Sequence, residues 1–271
     1  MADSAVPLSF RSDEIDRDAL EQLASVLDIQ AERPGIRRLR AWSHDALHLE
    51  PGEHTLDIGS GTGSETRTMA RAVGAAGRAI GLDPNPGMVL LARERTEAAR
   101  STAQFVVGTA YSLPFATGSL DAVRCERVFQ HLTEPERAAA EVARVVKPGG
   151  RAVILDSDWG TAILHPGDPD VLARITDVML TNTANPYSGR LLPGQLTRAG
   201  LVVEDTGSQA LMQEPGDATG PLVTMMMDAA VAEGAISPAE RRALLEQLES
   251  GAHTGDFHMS VTMFGYLARK P

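Results

Sequence analysis

The chain has 271 residues, an apolar fraction of 43% and a formal net charge of −11, from 36 acidic and 25 basic residues. This length suits one large α/β domain, or one domain with helical additions. The acidic balance disfavours a nucleic-acid partner, because proteins that bind polyanions usually carry a basic footprint. A single cysteine, Cys125, excludes an internal disulfide and a multi-cysteine metal site, and we expect no metal ion.

The sequence also gives expectations about location. Its apolar runs fall well short of the ~20 residues that cross a bilayer. The first residues lack the basic segment and apolar stretch of a signal peptide. We therefore expect a cytoplasmic protein that does not engage a membrane. The oligomeric state stays open, with a homodimer as one alternative.

Residues 1–49 have a helical pattern and are predicted to form an N-terminal cap. Ser12 can cap a first helix. Its apolar face carries four residues at roughly helical spacing: Ile15, Leu20, Leu23 and Leu27. Pro34-Gly35 breaks this helix, and a second helix is predicted over residues 36–47.

After the turn at Pro51-Gly52, strands and helices alternate, which predicts βαβ units and a mostly parallel sheet. Strands are predicted over residues 54–58, 79–82, 104–107, 120–125 and 152–155. Helices are predicted over residues 65–73 and 86–100, and from a capping box at Thr133–Glu136 to Val146. A turn at residues 147–150 ends the last of these helices.

The rest of the chain departs from a minimal doubly wound domain by two predicted helical inserts, residues 157–200 and 209–257. The first contains a helix that starts at Asp168-Pro169. The second contains a helix that begins with a Ser237–Glu240 capping box and is closed by Gly251. Two further strands are predicted over residues 201–205 and 260–267. We expect the inserts and the N-terminal cap to roof the mouth of the sheet.

Residues 55–63, with the sequence TLDIGSGTG, are the most informative stretch, because a strand there ends in a glycine-rich turn that leads into a helix. Glycines permit positive φ and let a ligand lie against bare backbone. A dinucleotide fold requires G-x-G-x-x-G with a pyrophosphate on the helix N-terminus, whereas this loop reads G-x-G-x-G. Asp57 suits an ammonium or sulfonium group better than a diphosphate. Alternatively, Asp57 only ties down the amides of the loop.

A second acid lies at the end of the next strand, about 20 residues beyond the loop. This residue is Asp83, in the segment Gly81-Leu82-Asp83-Pro84. It can accept both ribose hydroxyls of an adenosine moiety. Its alternative role is to cap the helix that follows Pro84.

These segments together resemble the class I S-adenosylmethionine (SAM)-dependent methyltransferases, and within them the ubiquinone/menaquinone-biosynthesis-like branch. Five motifs stand in the family's order, at residues 56–63, 81–83, 108–115, 120–123 and 145–151. They cover the predicted core, residues 50–156, and leave out the inserts. The resemblance implies a Rossmann-like α/β fold, with a mostly parallel seven-stranded sheet and helices on both faces. It also implies SAM as the cofactor.

The resemblance further implies which residues bind this cofactor. They are Asp57, Gly59, Ser60, Gly61, Gly63, Asp83, Pro84, Met88, Thr109, Ala110, Tyr111, Glu126 and Arg127. Asp83 would bind the ribose and Met88 would pack near the adenine. Thr109 stands where members of the family usually carry an Asp that accepts from the adenine amino group. Glu126 and Arg127 follow the fourth strand, at the edge where the methyl group should emerge.

Methyl transfer from a sulfonium is an in-line displacement with a good leaving group, so positioning alone can supply roughly 7–11 kcal/mol in the best intramolecular models. The protein then needs to orient the acceptor and remove one proton. His131 is the first candidate for the base, because it lies just after the fourth strand. Its alternative role is to cap the following loop. His165 and His258 are further candidates.

The acceptor is expected to be a small molecule, such as a secondary metabolite or a quinone-like compound, that is methylated on O, N or C. Asp156 and Asp158, beside Trp159, could line its pocket at the end of the fifth strand. An apolar wall could come from Phe10, Trp42, Phe129 and the methionines at residues 225–227. Such a methionine run, however, more often packs in a core.

Three other functions remain open. A SAM-binding cyclase that does not methylate would share every cofactor motif. A nicotinamide-dependent oxidoreductase is disfavoured by the G-x-G-x-G spacing and by Asp57. A nucleic-acid methyltransferase, for example of RNA, is disfavoured by the acidic charge. It would also need an Asn/Asp-Pro-Pro-aromatic signature where this chain reads CERVF at residues 125–129.

Overall fold

The computed structural model describes residues 17–271, so the predicted Ser12 cap, Ile15 and Phe10 lie outside the described part of the chain. Two helices come first, α1 (Arg17–Glu32) and α2 (Pro34–Leu47). Pro34 occupies the first turn of α2, where a missing backbone N–H is tolerated, and this confirms the predicted break between the two helices.

A seven-stranded sheet lies at the centre of the molecule. Its strands are β1 (His54–Ile58), β2 (Arg78–Asp83), β3 (Gln104–Val107), β4 (Leu120–Glu126), β5 (Val146–His165), β6 (Val202–Met212) and β7 (His258–Arg269). They lie in the order β3-β2-β1-β4-β5-β7-β6. Strands β1 to β5 run parallel, and β7 is antiparallel to both β5 and β6. The predicted Rossmann-like sheet is confirmed, and its strand order reverses between β1 and β4, where such sheets open a ligand crevice.

Helices cover both faces of this sheet. Those that follow α2 are α3 (Ser64–Val73), α4 (Pro86–Ala98), α5 (Pro135–Val145), α6 (Pro169–Asn182), α7 (Ser188–Arg198), α8 (Pro221–Ala232) and α9 (Pro238–Thr254). Successive strand residues point to opposite faces. On β5, Val153 packs with α2 and Ile154 packs with α5 and α7. None of the helices described is both long and apolar enough to cross a membrane.

Strand β5 differs most from the prediction, because it has 20 residues and continues to His165. Its extension pairs with β7, as Ile163 with Ser260 and His165 with His258. The predicted turn at residues 147–150 also belongs to this strand, where Gly149 N–H donates to the Lys270 carbonyl at 2.8 Å. The composition of the extension indicated a loop. It forms a strand because it pairs with β7, which lies more than 90 residues further along the chain.

Other predicted boundaries were wrong in informative ways. Strand β6 runs to Met212 rather than residue 205, because β7 pairs with it along its length. Helix α9 passes through Gly251 and ends at Gly255, whose left-handed conformation caps it. Helix α5 begins at Pro135 with Glu134 before it, and no side chain caps it, so the predicted capping box is absent there.

The helical insert has a hydrophobic cluster of its own, formed by α6, α8 and α9 against the extension of β5 and β7. The predicted capping box at Ser237 is confirmed, since the Ser237 hydroxyl accepts from Glu240 N–H and the Glu240 carboxylate accepts from Ser237 N–H. Helices α7 and α8 were not predicted. Pro193 lies inside α7, where the sequence favours a break, and α8 is apolar on most of its surface and so lacks a clear amphipathic pattern.

Candidate cofactor site

The glycine loop joins β1 to α3 at the carboxyl edge of the sheet. Gly59, Gly61 and Gly63 all have positive φ, of 71°, 49° and 78°. A Cβ on Gly63 would lie 2.5 Å from the Phe105 ring, so only glycine allows this close approach. The loop therefore has the backbone conformation that its sequence predicted.

The end of β2 is bonded directly to this loop. One oxygen of the Asp83 carboxylate accepts from Gly61 N–H and the other accepts from Asn85 N–H, both at 2.9 Å. The helix cap is Asn85, whose side chain accepts from Gly87 and Met88 N–H. Burial raises the pKa of Asp83, and the two backbone bonds oppose that rise. The alternative role of Asp83 as the cap of α4 is thus taken by Asn85.

Asp57 is buried beneath the loop rather than within it. Its carboxylate accepts from the Thr66 hydroxyl at 2.8 Å and lies 3.5 Å from Arg124 Nη1. Burial raises the pKa of Asp57, and these two partners lower it in part. Asp57 therefore joins β1 to α3 and β4, and the hydrogen bonds found for it do not tie down the amides of the loop.

A buried ion network, which we define as Arg40, His44, Asp57, Glu65, Arg124 and Glu126, connects α2 to the strands beside the loop. Arg124 is almost completely buried and lies within 3.5 Å of three carboxylates, those of Asp57, Glu65 and Glu126. Arg40 binds Glu126 through Nε and Nη2, at 2.9 and 3.0 Å. It also binds Glu65 at 3.1 Å.

This network keeps its acids ionised despite their burial. Burial alone would raise the pKa of Glu126, but Arg124 and Arg40 outweigh it and hold that pKa well below its usual range. For Glu65, burial is likewise outweighed by the hydrogen bond from His44 and by Arg124 and Arg40, which lower its pKa to about 2. No sequence pattern marks Arg40, Glu65 or Arg124 as members of such a network, because their partners lie far apart in the chain.

Arg127 follows the last residue of β4 and has an unusual backbone. Its φ is +56°, in the left-handed region that favours glycine, and its N–H donates to the Leu155 carbonyl at 2.9 Å. Its guanidinium contacts the side-chain oxygen of Gln30 on α1 and lies 3.5 Å from Glu126. Strained residues of this kind occur preferentially at functional sites.

The predicted adenine side of the site lies beyond β2 and β3. Met88 is buried at the start of α4. Ala110 is buried, while Pro84 and Thr109 are exposed. The Tyr111 hydroxyl accepts from Thr133 N–H at 2.9 Å and so joins the loop after β3 to the start of α5.

Just beyond the end of β4, beside the middle of β5, hydrogen bonds join residues that are distant in the chain. Gln130 N–H donates to the buried Asp156 carboxylate at 2.9 Å, and the Trp159 indole N–H donates to Gln130 Oε1 at 2.7 Å. Asn185 N–H donates to the Gln130 carbonyl at 3.0 Å. Burial raises the pKa of Asp156 to about 7, although Gln130 and Ser157 N–H bonds oppose this rise. Gln130 thus holds the predicted acceptor side together, and its uncharged side chain gave no signal in the sequence.

His131 and Asp158 also lie on this side of the sheet. His131 ends a short 3-10 helix (Phe129–His131) and is partly buried. Asp158 is completely buried and accepts from Arg190 Nη2 at 2.8 Å. The Arg190 guanidinium stacks over the Tyr187 ring, 4.9 Å from its centre. The acceptor side therefore carries a buried carboxyl group, a half-buried imidazole and an aromatic cation pair.

Several predicted wall residues are placed elsewhere. Phe129 and Met227 are completely buried in hydrophobic clusters. Trp42 packs against Gly207 and Gly265 on the opposite face of the sheet. His165 is exposed beside Asp256, and the His258 ring contacts the Ser260 hydroxyl. Cys125 is a buried residue of β4.

Helix α1 crosses over the glycine loop. A Cβ on Gly61 would lie 3.3 Å from Cδ1 of Leu27. Asp28 accepts from Arg95 Nη1 at 2.8 Å, which fixes α1 to α4. Just beyond α1, Arg33 binds Asp217 of the insert at 2.7 Å. The N-terminal cap and the insert are therefore joined above the carboxyl edge of the sheet.

Comparisons with known proteins agree with this arrangement. Residues 56–154 match a family model described as a methyltransferase domain. The ubiquinone/menaquinone biosynthesis C-methyltransferase UbiE of Ectopseudomonas mendocina is 29% identical over 222 residues, 73% of this chain and 83% of that protein. An uncharacterized 37.1 kDa protein in transposon TN4556 of Streptomyces fradiae is 37% identical over 168 residues, 60% of this chain. The match covers 48% of that protein, so the chain corresponds to about half of its length.

A solved structure shows the same fold. Phosphoethanolamine N-methyltransferase 2 of Haemonchus contortus, in complex with phosphomonomethylethanolamine and S-adenosylhomocysteine, superimposes with a TM-score of 0.60. The two are 18% identical, and the match covers 97% of this chain and 60% of the other. At this identity the likeness concerns the fold alone.

Proposed function

The chain belongs to the class I SAM-dependent methyltransferases, in their ubiquinone/menaquinone-biosynthesis-like branch, and on that premise we propose that it methylates a small molecule. The methyl group would go to O, N or C of the acceptor. The bond between Asp83 and the glycine loop is the single observation that supports this proposal most strongly, because it places a carboxylate at the end of β2 beside bare loop backbone.

The residues present fit SAM in polarity and conformation. Two glycines at the loop, Gly59 and Gly61, expose backbone in left-handed conformations. Asp83 has acceptor capacity left for ribose hydroxyls after its two backbone bonds. The Ser60 hydroxyl, on the same loop, is buried and has no hydrogen-bond partner among the described residues. A buried polar atom without a partner is costly, so a polar ligand there would relieve it.

The proposed cofactor-binding residues are those that the family resemblance implies, from Asp57 to Arg127. We propose a different task for each group of them. Ser60 and Gly61 would bind through the loop and Asp83 beside it, and Met88 and Ala110 would pack around the adenine. Thr109 is exposed and could accept from an amino group through its hydroxyl. Asp57 would support the loop from below through Thr66.

SAM would supply an electrophilic methyl group bound to a sulfonium. After transfer, the sulfur would leave as the neutral thioether of S-adenosylhomocysteine. The chain's own task is then to exclude water, to hold the acceptor in line and to accept a proton where the acceptor carries one. We assign proton acceptance to His131, which lies at the end of β4 on the acceptor side. Asp156 has a raised pKa, but two backbone N–H groups occupy its carboxylate, so it serves to hold Gln130 in place.

The acceptor is proposed to be a quinone-like or other secondary metabolite. The relative named above is a C-methyltransferase of quinone biosynthesis. Trp159, within the long strand β5, offers an aromatic surface that is held by Gln130. The net charge of −11 disfavours a polyanionic substrate such as RNA. Residues 1–49 and the helical parts of the inserts would enclose this acceptor above the core of residues 50–156.

The proposal is tested by titrating SAM, S-adenosylhomocysteine and NAD into the purified chain and measuring the heat of binding and the melting temperature. A ligand that binds only the folded state raises that temperature. We expect both sulfur nucleosides to bind and NAD not to bind. Binding of NAD without SAM would instead support an oxidoreductase.

Acceptor candidates are then screened by product mass. A product that carries one added methyl group, formed together with S-adenosylhomocysteine, supports the proposal. Conversion of a substrate at constant mass, with SAM unconsumed, would instead indicate the cyclase alternative.

A further inference from the structure

Arg127 is a buried cation at the junction of three parts of the site. It follows β4, its backbone N–H is bonded to Leu155 on β5, and the next residue, Val128, lies against the glycine loop. A Cβ on Gly59 would be 2.2 Å from Val128 Cγ2. The Arg127 side chain is 17% exposed. Its guanidinium thus lies between the predicted cofactor and acceptor sides.

Three other arginines of the described chain, Arg40, Arg124 and Arg151, have side chains at least as buried as that of Arg127, and each has a close carboxylate. Arg124 and Arg40 share Glu126 and Glu65, and Arg151 binds Glu53 through two nitrogens at 2.7 and 2.8 Å. These pairs are what burial requires, since a guanidinium does not deprotonate in proteins and is costly to bury without an anion.

Arg127 lacks such a carboxylate in the described part of the chain. Its single ion pair is to Glu126 Oε1 at 3.5 Å. That oxygen already accepts from Arg40 Nε at 3.2 Å and from Arg40 Nη2 at 3.0 Å. The close contact of Arg127 is with the uncharged amide of Gln30 on α1. Burial lowers the pKa of Arg127, and the more distant charges of Glu126 and Asp156 oppose this only in part.

We propose that Arg127 binds an anionic group of a ligand, a carboxylate or a phosphate, which replaces the Gln30 amide at the junction of β4, β5 and the glycine loop. Arginine suits both groups because its planar fork donates two parallel hydrogen bonds to them. The strained φ of +56° fixes the direction in which the side chain leaves the strand. Gln30 holds the guanidinium when the anion is absent.

The anion has two chemical sources, and this inference rests on the proposed function for both of them. One is the carboxylate on the amino-acid arm of SAM, since Arg127 is next to the glycine loop. The other is an acidic group on the acceptor, since Arg127 is also bonded to Leu155 on β5, next to Asp156 on the predicted acceptor side. A carboxylate or phosphate near the reacting centre would place the acceptor by a fixed charge pair rather than by shape alone.

The experiment compares the wild-type chain with Arg127→Gln by titration calorimetry. The probes are S-adenosylhomocysteine and its decarboxylated analogue, which differ by the carboxylate alone. Benzoate and inorganic phosphate are titrated separately into the free protein and into the protein loaded with S-adenosylhomocysteine. Removing one charge-assisted hydrogen bond should weaken binding by about 10- to 100-fold.

The outcomes separate the two sources. If Arg127→Gln weakens S-adenosylhomocysteine but not its analogue, the anion belongs to the cofactor. If both nucleosides bind as before while benzoate or phosphate binding is lost, the anion belongs to the acceptor. If Arg127→Gln changes neither the affinity for S-adenosylhomocysteine nor the binding of benzoate and phosphate, Arg127 is not an anion site and the proposal is wrong. Failure of the wild type to bind S-adenosylhomocysteine would count against the proposed function instead, and the anion titrations on the free protein would still decide the role of Arg127.

Two further variants serve as controls. Arg33→Gln is the matched control, because Arg33 is a partly buried arginine near α1 whose partner is Asp217. It should leave the affinities for the nucleosides and for the anions unchanged. Gln30→Ala removes the neutral partner and leaves the cation in place. It should strengthen anion binding severalfold, even if Arg127→Gln fails to fold, and weaker anion binding in Gln30→Ala would overturn the proposal.

Discussion

The carboxylate of Asp83 and the backbone N–H of Gly61 are joined by a hydrogen bond of 2.9 Å. This bond fixes the end of β2 to the glycine loop, and a second bond from Asn85 N–H fixes the same carboxylate to the start of α4. A charged acceptor held by two backbone donors is oriented before a ligand arrives, which lowers the entropy cost of binding. The same residue thus shapes the loop and, in the proposed site, would accept the ribose hydroxyls.

Replacing this carboxylate should therefore weaken cofactor binding more than it weakens the fold. Asp83→Ala is expected to lower the affinity for S-adenosylhomocysteine by about 10- to 100-fold, because it removes hydrogen bonds to the ligand and to the loop. Titration calorimetry measures this change. Asp83→Asn is the matched variant, because it keeps the size and one acceptor oxygen, and it should lose less. Equal affinity in all three proteins would show that the ribose binds elsewhere.

The buried ion network predicts a large loss of stability from one substitution. Arg124→Met leaves three buried carboxylates, on Asp57, Glu65 and Glu126, without their shared cation. Breaking such a buried set by removing one partner typically costs about 3–5 kcal/mol. Urea unfolding followed by circular dichroism measures the free energy of unfolding.

Arg174→Met provides the control for this variant. Arg174 pairs with Glu240 on the surface, and both side chains are about a third or more exposed. Exposed pairs contribute little to stability, so Arg174→Met should lower the free energy of unfolding much less than Arg124→Met does. If Arg174→Met cost as much free energy as Arg124→Met, burial of the network would not be the source of its contribution.

The raised pKa of Asp156 predicts a specific dependence of stability on pH. The neutral carboxyl is favoured in the folded state, where its pKa is about 7, against an ordinary value of 3.8. As pH rises from 3.8 to about 7, the unfolded chain ionises at this residue while the folded protein keeps its proton. Asp156 therefore makes the protein less stable across that window, and the loss stays constant above it.

Asp156→Asn keeps the carboxyl group's shape without its charge. Its free energy of unfolding, relative to that of the wild type, should increase from pH 4 to pH 7 by up to about 4 kcal/mol. Thermal melts of both proteins across this range measure the difference. A constant difference between the two proteins would mean that Asp156 is ionised in the folded state.

His131 is expected to affect turnover rather than cofactor binding. Once the mass screen has identified an acceptor, His131→Asn should lower kcat by about 10²- to 10⁴-fold if the acceptor must lose a proton. Affinity for S-adenosylhomocysteine should stay within about twofold, because the histidine belongs to the acceptor side. Unchanged turnover in the variant would move the base to another residue.

The sequence predicted the core of the fold well because its signals there are local. The glycine loop, the strand before it and the acid at the end of β2 all lie within residues 54–83, and the structure has them in these places. Strand β1 and strand β3 match their predicted bounds. Such βαβ units carry their own periodicity, so the sheet and its ligand-binding edge could be inferred before the structure.

The acceptor side could not be predicted in the same way, since its contacts join distant residues. The extension of β5 exists because β7 pairs with it, and its sequence from Ser157 to His165 has no strand pattern. Gln130 and Trp159 meet only in the folded chain. In the sequence, Arg124 looks like an ordinary strand residue. Only the folded chain buries it among three carboxylates, whose charge it balances. The cofactor side follows from motifs, whereas the acceptor side follows from topology.

Helix α1 should move when the cofactor binds. Leu27 lies where a ligand would contact Gly61, and the Asp28–Arg95 pair holds α1 over the loop. Both side chains of this pair are about a third or more exposed, so moving α1 away from the loop should cost little free energy.

Hydrogen exchange measured by mass spectrometry should therefore show faster exchange in residues 17–32 than in α3 of the free protein. Saturating S-adenosylhomocysteine should change protection over residues 17–32 and leave α9, far from the loop, as it was. The variant Asp28→Ala should accelerate exchange in α1 and raise the association rate by no more than about fivefold, the limit set by a surface pair. If α1 kept the same protection with and without the nucleoside, the ligand would fit beneath Leu27 as it stands, and α1 would be a fixed part of the site.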